Sequence, residues 1–382
     1  MNDMQIFSNA EIVTADDRFR GYVAVKDGLI SEIGHGIAPE KGLDLQGDFL
    51  LPGLIEIHTD HLEAHVMPRP KVEWNTASAV LAYDAQIAAS GITTVFDSLR
   101  IGIDEHETKA GVSARVLEFA RIIAQSAAAG HLRCDHLTHI RCEAPAHDVV
   151  NELHAFLAEF PVRLISLMDH TPGQRQFRDL DKYFTYYGGK TGKSDSEIHA
   201  IVARRQDTGA ERAARNRPQI VAMAQAHGIK LASHDDTTPG EVAASLAEGV
   251  TVAEFPTTLE AAKASRQAGM ATVMGAPNVV RGGSHSGNVA ARELADAGLL
   301  DMLSSDYVPA SLLLGAFQLA DSPGVGGLPG AIRLVTQNPA KALGLEDRGT
   351  IAIGKRADLI RVTDAERTPV VRTVWRSGAR VA

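Results

Sequence analysis

The sequence predicts a distorted TIM (β/α)8 barrel with a small β-sandwich domain formed by both chain termini. Three observations carry this. Between residues 51 and 340, eight short apolar runs alternate with Ala-rich stretches of helical character. Alternating β and α elements imply a parallel sheet, and eight such units imply a closed barrel. Five of the eight runs end in His, Asp or Glu, at the face where a barrel of this kind carries its active site. Both chain ends, by contrast, read as short strands and tight turns.

The first 50 residues hold strand-like runs at 6–13, 22–25 and 29–33, with Lys26-Asp27-Gly28 as a hairpin turn between the last two. The tail repeats this texture at 349–355, 357–362 and 372–376. Residues 1–50 and 341–382 are therefore expected to form one small domain and residues 51–340 the barrel. The barrel strands are expected at 53–58, 92–97, 137–143, 162–169, 229–234, 250–255, 270–275 and 300–306. The helices are expected at 76–90, 111–129, 147–159, 214–227, 239–248, 258–268 and 288–297. No G-x-G-x-x-G follows an early strand, which disfavours an open doubly wound sheet.

The barrel begins at Leu51-Pro52-Gly53-Leu54-Ile55-Glu56-Ile57-His58-Thr59-Asp60-His61-Leu62-Glu63. An apolar run leaves a Pro-Gly turn and ends in ionisable side chains. Strand alternation puts Glu56, His58 and Asp60 on one face, and a His and an Asp two apart can reach one cation. Taken alone, the pair also suits plain hydrogen bonding in a turn. The third strand ends His139-Ile140-Arg141-Cys142-Glu143, with 139, 141 and 143 on one face. The fourth ends Met168-Asp169-His170, the fifth Ser233-His234-Asp235-Asp236 and the eighth Ser304-Ser305-Asp306. Imidazole and carboxylate donors admit zinc, manganese or iron.

Bulk properties narrow the class. With 382 residues the chain has room for a barrel and a smaller domain. The net charge of −9 argues against a general nucleic-acid or membrane-surface role. The two cysteines, Cys134 and Cys142, show no C-x-x-C spacing, so no disulfide framework is expected; Cys142 reads as a buried, inert thiol. With no signal pattern and no long apolar run, a cytoplasmic protein is expected, with a small-molecule substrate and no nucleic-acid or membrane partner.

The opening Pro52-Gly53-Leu54-Ile55-Glu56-Ile57-His58, the eighth-strand Asp306 and the closing Asn338-Pro339-Ala340-Lys341 through Asp358-Leu359 resemble the amidohydrolase superfamily over nearly the whole chain. His58–Glu63, Pro68-Arg69-Pro70-Lys71-Val72, Gly91-Ile92-Thr93-Thr94-Val95-Phe96-Asp97, Met168–Gln174 and Ser233–Asp236 resemble a narrower group, the PhnM-type diphosphatases of the carbon–phosphorus lyase pathway. The resemblance implies two divalent metals per chain and hydrolysis of alpha-D-ribose 1-methylphosphonate 5-triphosphate to the 5-phosphate and pyrophosphate. It also implies the ligand set His58, Asp60, Glu143, His170, His234 and Asp306, with Asp306 doubling as general base, and a homo-oligomer. Two departures stand out. The superfamily pattern His-x-His is here His58-x-Asp60, with His61 as the other residue that might fill that place. No strand-end Lys is available as a bridge, a role given to Glu143.

A triphosphate needs cations. Arg69 and Lys71 follow the first strand, Arg141 faces the mouth, and Arg175 follows the fourth strand. Arg281 and His285 lie in a Gly-rich stretch leading into a helix. A barrel-facing Arg141 also needs an anionic partner, which Glu143 or another carboxylate can supply. Residues 171–213 read as a long insertion, a lid whose Lys190 and Lys193 close on phosphates. Its Gly188-Gly189-Lys190-Thr191-Gly192-Lys193-Ser194 is not a P-loop, because the glycines are one residue too close. The alternative activity is an amidohydrolase acting on a cyclic amide or N-acyl amino acid. A metal-free scaffold barrel is the non-enzymatic alternative.

Overall fold

A computed structural model describes residues 4–69, 72–102, 112–173, 194–284, 287–366 and 368–382. The N-terminal strands β1 (Gln5–Val13), β2 (Arg18–Lys26), β3 (Leu29–His35), β4 (Leu43–Asp44) and β5 (Phe49–Pro52) share one sheet with three strands from the other chain end. The β2–β3 hairpin turns at Asp27 and Gly28, both with positive φ, as a two-residue turn requires. Most pairs are antiparallel, but β4 and β5 run parallel to β1. Hydrogen bonding joins all eight strands into one ladder, which curls until Leu29 bridges Arg356. Phe7, Ile12, Leu50, Leu359 and Trp375 fill its inside, and the Phe7 and Trp375 rings meet edge-on at 4.7 Å.

Gly53 is the hinge between this sheet and the barrel. Its N–H donates to Asp358 O at 2.8 Å. A Cβ there would lie 2.3 Å from Thr93 Oγ1, so only glycine lets the two segments approach this closely.

All eight apolar runs are parallel strands: β6 (Leu54–Thr59), β7 (Ile92–Ile101), β8 (Asp135–Glu143), β9 (Leu164–Met168), β10 (Lys230–His234), β11 (Val252–Glu254), β12 (Ala271–Gly275) and β13 (Met302–Ser304). The barrel is nearly closed, its seam held by a parallel bridge between Thr59 and Asp306. The C-terminal strands β14 (Leu359–Ala365), β15 (Thr368–Arg376) and β16 (Ala379–Arg380) complete the small sheet. Ile55, Phe96, Leu164, Ala232, Val252 and Met302 pack together inside the barrel, with Ala340 and Leu343 of the Gln337–Leu343 helix among them. That helix plugs the N-terminal end and leaves the other end for chemistry.

One expectation is corrected here. Residues 195–213 are not part of a long loop: they belong to a 32-residue helix, Asp195–Ala226, which also contains the expected helix at 214–227. Glu197 accepts from the Ser194 N–H at 2.8 Å, the capping-box device that starts a helix. Lys190 and Lys193, on which the lid expectation for residues 171–213 rests, lie outside the described residues. Among the described residues, no helix is long and apolar enough to cross a membrane.

Candidate active site

The mouth of the barrel gathers its donors in two groups. His58 on β6, His139 on β8 and Glu254 on β11 place one ligand atom each within 4.8 Å of the others. His170, His234 and Asp235 do the same. The groups adjoin, with the His58 and His234 ring centres 5.6 Å apart and those of His170 and His234 5.3 Å apart.

Three of these histidines are held alike. Nδ1 of His58 lies 3.0 Å from Glu254 Oε1, that of His170 2.7 Å from Glu143 Oε2, and that of His234 2.8 Å from Asp235 Oδ2. An ionised carboxylate only accepts, so each Nδ1 carries a proton, which in the neutral ring leaves Nε2 its lone pair. Metal-binding imidazoles are oriented in this way. Burial, reinforced by the nearby Arg141 and His234, pushes His58 well below its ordinary pKa and keeps it in the neutral form that a cation requires.

The first group is short of positive charge. His139 Nδ1 lies 3.0 Å from Ile57 O, an acceptor only, so the proton sits there. Its Nε2 then faces Ser166 Oγ at 2.5 Å, and the same hydroxyl lies 2.6 Å from Glu254 Oε2. One serine hydrogen serves two acceptors, and a cation among them would restore the balance. Burial pushes His139 down to about 3, so the ring does not supply that charge itself. Imidazole and carboxylate together fit zinc, manganese or iron.

Of the six ligands expected from the sequence, His58, His170 and His234 fall in these groups; Asp60, Glu143 and Asp306 stand beside them. Glu143 accepts from both the backbone N–H and Nδ1 of His170 and from Arg100 Nη2 at 2.8 Å. Burial opposes its charge, but His170 and Arg100 outweigh that and hold its carboxyl well below the usual range. Asp60, half-buried, faces Arg141 Nη1 at 3.5 Å, so the anionic partner of Arg141 is Asp60. Asp306 sits at the seam with φ 54°; burial and then the Asp60 charge lift its carboxyl to about 7. His61 turns instead toward Tyr307 O, 2.9 Å from Nδ1, and packs near His65.

Strict alternation along β6 does not hold. Ile57 packs in the barrel interior, yet its neighbour His58 also reaches inward to Glu254. The pairing with β7 slips between Glu56 and Thr59, and this irregularity takes Glu56 off the face of His58. Glu56 accepts from the His58 N–H at 2.7 Å and the Ser305 N–H at 2.6 Å, tying the first strand to the last. Burial pushes its carboxyl up to about 7.

Among the expected anion binders, Arg141 is at the mouth. Arg69, which bridges to Val72, and Arg281, at the end of the Ala276–Arg281 helix, are exposed. Lys71, Arg175, Lys190, Lys193 and His285 lie outside the described residues. Sequence reasoning passed over Glu254, Asp235, Ser166 and the donor role of His139. For Glu254 a signal existed: the sixth apolar run also ends in an ionisable residue, Val252-Ala253-Glu254.

A distorted eight-stranded barrel with clustered His and carboxylate donors at its C-terminal mouth defines a class of metal-dependent hydrolases. The chain belongs to the amidohydrolase family, whose model matches residues 49–381, and it is a hydrolase. Across 380 residues it is 46% identical to alpha-D-ribose 1-methylphosphonate 5-triphosphate diphosphatase from Escherichia coli (strain K12), covering 98% of this chain and 100% of that protein. A D-hydantoinase from Ralstonia pickettii is 39% identical over 95 residues, 24% of this chain and 19% of that protein. Among solved structures, a 5-methylcytosine deaminase from Klebsiella pneumoniae superposes with TM-score 0.65 at 15% identity, covering 99% of this chain and 97% of that one. N-isopropylammelide isopropylaminohydrolase from Burkholderia multivorans gives 0.64 at 16% identity, covering 100% and 98%. At such identities these two share the fold alone.

Proposed function

We propose that this chain hydrolyses alpha-D-ribose 1-methylphosphonate 5-triphosphate to the 5-phosphate and pyrophosphate, in phosphonate catabolism. The observation that carries this reading is the 46% identity, end to end, with the diphosphatase of that name. His58, His139 and Glu254, with His170, His234 and Asp235, would hold divalent cations, and Asp60, Glu143 and Asp306 are the further carboxylates offered to them. Cations bound there would polarise phosphoryl oxygens and bring the pKa of water from 15.7 to about 7.

The chain's own residues do the rest. Water adds across one P–O–P bond: its oxygen joins phosphorus, and a proton passes to Asp306, buried at the seam beside Asp60. The proton leaves with the products. Arg141, freed from Asp60, binds the triphosphate oxygens, since phosphoryl transfer depends mainly on positioning and charge stabilisation. Glu143, through Oε2 to His170 Nδ1, keeps that ring aimed. Glu254 and Asp235 do the same for His58 and His234 through one carboxylate oxygen each, so the other oxygen can meet a cation. Phosphorus NMR of the purified protein with this substrate tests the reading: the pyrophosphate signal must appear, and hydantoin and dihydroorotate must remain uncleaved.

A further inference from the structure

A cavity of about 120 Å³ opens beside the mouth, between the start of the barrel wall and the helices Leu62–Val66, Thr76–Ala89 and Val112–Ala128. Its walls are Leu62, Val66, Tyr83, Leu99, Val116 and Phe119. The hydroxyls of the wall are already committed: Tyr83 OH donates to Asp97 at 3.0 Å, Thr59 Oγ1 donates to Asp306 O at 2.7 Å, and Ser98 Oγ accepts from the Thr59 N–H at 3.0 Å. Most of what is left for a guest is hydrocarbon surface, with Asp60, Glu63, Asp97, Arg100 and Arg115 as the charged part of the lining. The volume approaches that of the roughly 150 Å³ apolar cavity known to bind benzene.

The edge of this cavity belongs to the active site. Asp60 and Arg100 line it; the first faces Arg141, and the second bonds Glu143, which in turn holds His170. Arg115 adds a second guanidinium at the edge. Its present partner is Glu73 at 3.0 Å, whose side chain is largely exposed, a pairing worth little in water. An apolar hole that carries Arg100 and Arg115 beside the carboxylates Asp60 and Glu63, next to the donors, suits a small alkyl group whose attached anion pairs with the two guanidiniums.

We propose that this cavity is the subsite for the alkyl group of an alkylphosphonate, with Arg100 and Arg115 meeting the phosphonate oxygens. The proposal deepens the function proposed above and rests on it for the identity of the substrate. The hole is larger than one methyl group needs, so ethyl and propyl phosphonates also fit.

Calorimetric titration of the metal-loaded protein with methyl-, ethyl-, propyl- and phenylphosphonate tests this directly. Each added methylene is expected to tighten binding about fourfold until the hole is full. Val116→Phe fills the cavity and is expected to abolish the gain from ethyl and propyl. Phe119→Ala enlarges it and is expected to favour phenylphosphonate. Affinity independent of chain length in the unaltered protein overturns the subsite, as does an unchanged series in either variant once melting shows it folded. Pyrophosphate release is read separately. Its absence alongside a chain-length series removes the proposed substrate and leaves the alkyl subsite standing.

Discussion

His58 Nδ1 lies 3.0 Å from Glu254 Oε1, a bond between the first barrel strand and the sixth across 196 residues of sequence. The same carboxylate accepts from Ser166, so one buried glutamate fixes a ring and a hydroxyl together. Removing such a partner ordinarily costs 10–100-fold in metal affinity or activity. Glu254→Ala is therefore expected to lose metal to a chelator about 10–100-fold more readily than the unaltered chain. Elemental analysis after dialysis reads this without any activity assay, and an unchanged metal content would remove Glu254 from the site.

Arg141 should act on substrate rather than on metal. Arg141→Met keeps much of the side-chain volume and removes the charge that now faces Asp60. Its KM for the triphosphate is expected to rise about tenfold or more, equivalent to 1.4 kcal/mol per decade, with metal content intact. A fall in kcat at constant KM would contradict the binding role.

On the alkaline side, one part of the pH dependence of stability belongs to His136, on β8. His136 Nδ1 lies 2.9 Å from Asp97 Oδ2, and Nε2 3.3 Å from Asp84 Oδ1. Burial alone would lower its pKa, but the two carboxylates outweigh burial and lift it to about 9. A folded pKa above the unfolded value near 6.5 means that the stabilisation is complete below about pH 6.5 and lost as pH rises through about 9. The melting temperature should decline across that window, by an amount reflecting at most roughly 3 kcal/mol. His136→Gln should flatten the decline; an equally steep profile in that variant would show that other groups govern it.

Gly53→Ala tests the junction between the two sheets. The added Cβ would sit 2.3 Å from Thr93 Oγ1 and 2.5 Å from its Cγ2, and overpacking of this kind costs about 1–3 kcal/mol. The urea midpoint should fall accordingly. Gly53→Ala in a Thr93→Ser background, which deletes the methyl, should recover part of the loss.

Much of this architecture can be read from the chain before any coordinates. The eight apolar runs are bounded by Gly and polar residues and alternate with Ala-rich segments, so strand existence follows from local pattern. His58, His170 and His234 stand at strand ends, where the fold needs them. Other features depend on neighbours that no local pattern reveals. The slip after Glu56 arises from pairing with β7, and it alone decides that Glu56 ties strands together while His58 faces the donors. The role of Glu143 depends on His170 and Arg100, 27 and 43 residues away. The helix that begins at Asp195 looked like loop because it is polar on most sides, yet Ser194 and Glu197 announced its start.

The seam between Thr59 and Asp306 has a consequence for how the enzyme comes into being. Thr59 Oγ1 and Asp306 O, 247 positions apart, meet at 2.7 Å, and β5 waits for β14 in the same way. During synthesis the amino-terminal half must leave the ribosome with raw strand edges on both sheets, a state prone to wrong partners. A hydrolytic centre whose first and last walls are so far apart in the sequence stays silent until nearly the whole polypeptide has been made.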